Sequence, residues 1–219
     1  MSILNFARAI AVLFCLSPPT FAADGATLYR EHCAACHGNT GAGGLGVPLA
    51  MRDLLGVAED EYFRRTIRLG RPGRHMPAFS HLSTGEVDAL VAHLRSWGPQ
   101  QPKPIRVGAG DVMSGEILYG NWCSMCHGAR GEGASTTGIT WSWDHRRDVS
   151  PPALNNPGFL FAASDAMIKR TLIRGRHGTA MPSFRMPELE DEDLDDLVAF
   201  VRSFQTDAVG GDAIYREAR

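Results

Sequence analysis

Cys33-Ala34-Ala35-Cys36-His37 is the stretch on which the reading of this chain turns, and Cys123-Ser124-Met125-Cys126-His127 repeats its pattern. Two cysteines separated by two residues on one helical turn bring both thiols to the same side. The adjacent histidine aims its imidazole the same way. C-x-x-C-H is the attachment signature of a c-type haem, whose two vinyl groups take the thiols and whose iron takes the imidazole. One copy would also suit a zinc knuckle or a redox dithiol. Two copies, each with matching sequence downstream, point to haem twice.

The repetition spreads outward from these motifs. Gly25-Ala26-Thr27-Leu28-Tyr29 precedes the first as Gly115-Glu116-Ile117-Leu118-Tyr119 precedes the second. Arg65-Thr66-Ile67-Arg68 answers to Arg170-Thr171-Leu172-Ile173, and Met76-Pro77-Ala78-Phe79 to Met181-Pro182-Ser183-Phe184. Val87-Asp88-Ala89-Leu90 matches Leu194-Asp195-Asp196-Leu197. So long a period is not a solenoid unit. It predicts two tandem copies of one small domain, over 24–97 and 105–204, joined by the proline-rich linker 98–104 and followed by a tail over 205–219.

Residues 1–22 stand apart. Arg8 precedes the apolar run Ala9 to Leu16, and Thr20 and Ala22 occupy the small-residue positions of a cleavage site. This reads as a secretory signal peptide, with an apolar run shorter than the ~20 residues that span a bilayer. No second such run follows, so no transmembrane span is expected in the mature chain. Of five cysteines, only Cys15 lies outside the two motifs. The balance of 22 Lys+Arg against 24 Asp+Glu gives no strongly basic face, which excludes nucleic acid as a partner.

Each copy reads as helical. A first helix over about 26–36 carries the cysteines at its C-terminal end, and the glycines from Gly38 to Gly46 form a loop. A second covers about 59–69, with Phe63 and Ile67 on one face. The last opens on Ser83 as N-cap, with Glu86 completing a capping box and Leu82 stapled to Val87. Its counterpart runs from about Asp191 to Phe204, with its carboxylates at the positive end of the helix dipole. The fold class is therefore all-α.

In each copy a methionine follows a glycine- and arginine-rich turn. Met76 and Met181 recur at matching places in Met-Pro-x-Phe, which a merely core methionine would not require. They are the expected sixth ligands to iron, opposite His37 and His127. Such ligation raises the reduction potential and closes both axial positions, leaving one-electron transfer as the available chemistry. His75 and His177 stand near the methionines but not at equivalent positions. Arg71 and Arg176 are equivalent, and pairing with haem propionates is one reading of them. The prolines Pro48 and Pro152 mark where a carbonyl could accept the N–H of the proximal histidine. From His127 to Met181 the second copy is fifteen residues longer than the first, around 139–152. The surplus includes Trp141, Trp143, His145, Arg146 and Arg147, which suit either a covering loop or a docking loop.

These motifs resemble the dihaem class I c-type cytochromes, and the tandem arrangement looks most like the cytochrome c4-type proteins. The resemblance covers nearly all of 24–204. It implies two helical cytochrome c domains, two covalently attached haem c groups, and iron held by His37, Met76, His127 and Met181 with thioethers at Cys33, Cys36, Cys123 and Cys126. It also implies electron carriage in the periplasm, from a quinol- or dehydrogenase-side donor to a terminal oxidase or another acceptor, with peripheral membrane association left open. Two alternatives remain: the cytochrome subunit of a periplasmic dehydrogenase complex, and a dihaem peroxidase with one open iron face.

Overall fold

The computed structural model describes residues 24–133, 151–185 and 189–208. The expected signal peptide and the five named residues of the inserted stretch lie outside them. Among the described residues there are helices and no strands. The first copy forms α1 (Gly25–His32), α2 (Ala34–His37), α3 (Arg52–Val57), α4 (Asp60–Leu69) and α5 (Thr84–Arg95). The second forms α6 (Val112–Trp122), α7 (Ser124–His127), α8 (Pro157–Ala162), α9 (Asp165–Arg174) and α10 (Asp191–Ala208).

Local chemistry sets several of the boundaries. Asp24 caps α1 by accepting from the amides of Ala26 and Thr27, and Asp111 caps α6 through Ser114 N–H. The capping box at Ser83 and Glu86 is present, with each side chain bonded to the other residue's amide. Two expectations are corrected. The motif helix is not continuous to Cys36: Cys33 breaks it, and a separate short turn carries the second cysteine and the histidine. The last helix runs past Phe204 to Ala208, since no breaker stands before Gly210. The six-residue helices α3 and α8 are additions.

In each copy the first helix crosses the last, and glycine makes the crossing close. A Cβ on Gly25 would lie 2.1 Å from the Ala89 carbonyl oxygen, and one on Gly115 would lie 2.0 Å from that of Asp196. No other residue could stand at either contact. An arginine then locks the last helix to the α3–α4 or α8–α9 corner. Arg95 donates to the carbonyls of Leu55 and Ala58 and to Asp60; Arg202 does the same with Leu160, Ala163 and Asp165. One side chain thereby satisfies two carbonyls of buried residues at a helix end and pairs with a carboxylate.

The copies meet through equivalent elements, α4 against α8 and α3 against α9. Gly158 packs so tightly that an added Cβ would meet the Gly70 carbonyl oxygen at 2.7 Å. Arg170, 6% exposed, reaches across to Val57 O at 2.8 Å and Glu59 Oε1 at 2.6 Å, and Ser164 donates to the same carboxylate. Arg65 answers from the other side, donating to Phe161 O.

Candidate functional site

His37 and His127 are both buried, at the ends of α2 and α7. Nδ1 of His37 donates to Val47 O at 2.8 Å, and Nδ1 of His127 donates to Pro152 O at 3.0 Å. A carbonyl can only accept, so in each ring Nδ1 holds the proton and Nε2 keeps its lone pair for a metal. Pro152 is thus the acceptor in the second copy. In the first it is Val47, one residue before Pro48. The register follows from Ala50 N–H to Gly41 O and Asn155 N–H to Gly131 O, which make Val47 and Pro152 equivalent. Burial pushes the His127 imidazole below its ordinary value; the bond to Pro152 opposes this and the Arg176 charge adds to it.

The motif is held in place by a tyrosine that sequence reading did not single out. Tyr29 and Tyr119, each 1% exposed, donate to Gly38 O at 2.7 Å and Gly128 O at 2.9 Å, just past the histidines. Gly38 and Gly128 take positive φ there, at 78° and 80°, which lets the chain leave the short helix sharply. Repetition of Tyr29 and Tyr119 four residues before each first cysteine was the available signal.

Among the described residues all four cysteines are free thiols. Burial, and then the neighbouring cysteine, pushes Cys33 up to about 11 and Cys123 up to about 12. Paired cysteines beside a buried imidazole, in C-x-x-C-H twice, fit covalent haem attachment.

The methionine loops have the same construction. Arg71 N–H donates to Met76 O and Arg176 N–H to Met181 O, each at 3.0 Å. Phe79 N–H then bonds Ile67 O, as Phe184 N–H bonds Leu172 O. Gly70 and Gly175 open the loops with φ near 65°, and a Cβ on either would strike the following Met-Pro backbone at 2.6 Å or less. Met76 and Met181 are half-buried. The thiols, the free Nε2 and a thioether on a fixed loop together fit a haem group with both axial positions filled.

The remaining candidates divide differently. His75 is exposed. His177 is turned to the other copy, where its amide and Nδ1 both meet Asp53 Oδ2. Arg71 is also turned to the domain interface, donating to Gly70 O, Gly158 O, the Tyr62 hydroxyl and Thr66 Oγ1. Of these acceptors Gly158 O lies in the other copy, which gives Arg71 a place in the interface. Arg176 lies beside Tyr62 and Asp53, with burial pulling its guanidinium below the usual range. Each methionine loop is therefore braced by the opposite copy: Asn156 also donates to Pro72 O, and Arg74 to Glu132 O.

Comparison with known proteins agrees with this arrangement. The family described as cytochrome c oxidase, cbb3-type, subunit III matches residues 20–94 and again 110–201. The chain is 28% identical over 195 residues to the Cbb3-type cytochrome c oxidase subunit CcoP of Azospirillum sp. (strain B510), a match covering 83% of this chain and 61% of that one. It thus spans about three fifths of that relative's length. A shorter match, 39% identical over 82 residues, is to the dihydro-heme d1 dehydrogenase of Pseudomonas aeruginosa, covering 37% of this chain and 16% of that protein. Among solved structures, a chain of the Kuenenia stuttgartiensis reducing HAO-like protein complex shares the fold, with TM-score 0.59, 23% identity, and coverage of 85% of this chain and 98% of that one. These matches do not single out the cytochrome c4 branch. With two regions matched over more than half its length, the chain belongs to the cytochrome c oxidase, cbb3-type, subunit III family and is a dihaem class I c-type cytochrome with two covalently bound haem c groups.

Proposed function

We propose that the protein passes single electrons between redox partner proteins in the periplasm, from a quinol- or dehydrogenase-side donor to a terminal oxidase or another acceptor. Haem c, when bound, supplies a one-electron couple at its iron. The chain's own residues decide how that couple is used. Cys33 with Cys36, and Cys123 with Cys126, hold the two groups covalently. His37 and His127 present Nε2 because Val47 and Pro152 fix their Nδ1 protons. Met76 and Met181, on loops pinned at both ends, would supply the second ligand to each iron. The observation that carries this reading is the duplication of one donor set, two cysteines, a histidine and a methionine; with both axial positions filled it would leave no iron face for a substrate, which favours a carrier over an enzyme.

No helix among the described residues is long and apolar enough to cross a membrane. A second reading makes the chain the electron-transfer subunit of a larger oxidoreductase. The oxidase-subunit name of the CcoP relative favours it, and co-purification with a catalytic chain would separate the two. The reading common to both is tested with carbon monoxide and peroxide. The reduced protein should show no spectral change on mixing with carbon monoxide, and the purified protein should not turn over peroxide. Rapid ligand uptake at either iron would instead support the peroxidase alternative.

A further inference from the structure

Helix α6 is apolar on both sides. Its inner side packs Gly115 and Tyr119 against α10, yet Met113 and Ile117 on its outer side are 76% and 67% exposed. Beyond it Trp122 and Met125 are 42% and 85% exposed. Met113, Ile117 and Asn121 recur every four residues along α6, the spacing of neighbours on a helix, and Met125 follows on α7, between Cys123 and Cys126 in the sequence. Large apolar side chains on the solvent side of a surface helix are unusual, and here they lie among Ser114, Glu116 and Asn121, the polar residues that side would ordinarily carry.

The first copy shows that the haem fold does not need this stripe. At the equivalent positions it carries Ala23, Thr27, Glu31 and Ala35, with His32 in place of Trp122. Thr27 is engaged in polar contacts with Asp24 and Arg30. Both copies attach haem through the same motif, so the apolar side chains serve something particular to the second.

The charges around the stripe say what suits it. No Lys or Arg lies between Arg106 and Arg130. Asp111 and Glu116 are exposed, and Asp111 N–H bonds Asp196, which brings the carboxylate-rich start of α10 to the Met113 end. Glu190, Asp191 and Glu192 are exposed there. A second copy would set acid against acid, and an anionic lipid surface would be repelled. We propose that the outer face of α6, from Met113 to Met125, docks a redox protein whose apolar centre is ringed by lysines or arginines, so that electrons pass through the second haem's attachment edge.

This inference rests on the electron-transfer reading, and its test does not depend on electron flow. Holoprotein is treated with dilute peroxide, alone and with excess lysine-rich mitochondrial-type cytochrome c as probe, and methionine oxidation is mapped by peptide mass spectrometry. Met113 and Met125 should oxidise readily in the protein alone, and the probe should slow both by about tenfold at low salt and much less at high salt. The Ile117→Thr, Trp122→His double variant, which takes the first copy's residues, should lose this protection while keeping its haem content and visible spectrum. Unchanged oxidation with the probe would overturn the proposal. So would protection in the dilute protein alone, protection that appears only as its own concentration rises, or protection by anionic vesicles. Protection without electron exchange between the two proteins would fault the electron-transfer reading and leave the docking surface standing.

Discussion

At equivalent places in the two copies, Arg64 on α4 and Lys169 on α9 tie their helices to the last helix of each domain. Arg64 bonds Asp88 at 2.7 Å, with side chains 37% and 48% exposed. Lys169 is 1% exposed and lies between Asp191 at 2.8 Å and Asp195 at 2.6 Å. Burial works against its charge, and the hydrogen bonds it donates to Asp191 and Asp195 outweigh that and raise its pKa. The topology is shared, and water access differs. The comparison teaches that the acidic start of α10 is partly an internal counter-charge, whereas the capping carboxylate of α5 faces solvent.

The largest effect expected from breaking this comparison is at Lys169. Lys169→Met strands Asp195 in the interior and should cost about 3–5 kcal/mol, whereas Arg64→Met should cost under about 1 kcal/mol. Guanidinium unfolding of the two holoprotein variants measures both. Equal losses would mean that burial does not set the value of the pair.

A smaller effect separates the helix starts. Hydrogen bonds from the Ser83 hydroxyl and amide hold the Glu86 carboxyl below its ordinary 4.5. Because the folded value is depressed, the cap's contribution is present above pH 4.5 and is lost as pH falls through the folded value. Acid titration followed by far-ultraviolet circular dichroism should show this loss in the parent. Glu86→Gln should flatten it, and a variant with an unaltered acid limb would refute the role of the cap.

What was legible in the sequence had local spacing behind it. The motif pair, the matched methionine turns, the span of α4 and the Ser83 cap all lie within a few residues of their own signals. The helices α3 and α8 escaped because six residues are too few to display a period. The clamps at Arg95 and Arg202, and the interface role of Arg71, escaped for another reason: their partners are backbone carbonyls remote in sequence, which carry no residue signature. The acceptor at Val47 was displaced from Pro48 by one position because the proline was read as the landmark, when the hydrogen bond depends on the register of the loop. The duplication itself was the strongest guide, since Tyr29 and Tyr119 repeat as faithfully as the histidines they support.

The central claim is that each iron sits between one imidazole and one thioether. It is tested most directly by a spectroscopic redox titration of the parent and of Met181→Ala. The parent should show the methionine-to-iron charge-transfer band from both haems. The variant should keep half of that band and have one potential lowered, the other unmoved. A parent without the band, or a variant with an unchanged spectrum, would contradict the account.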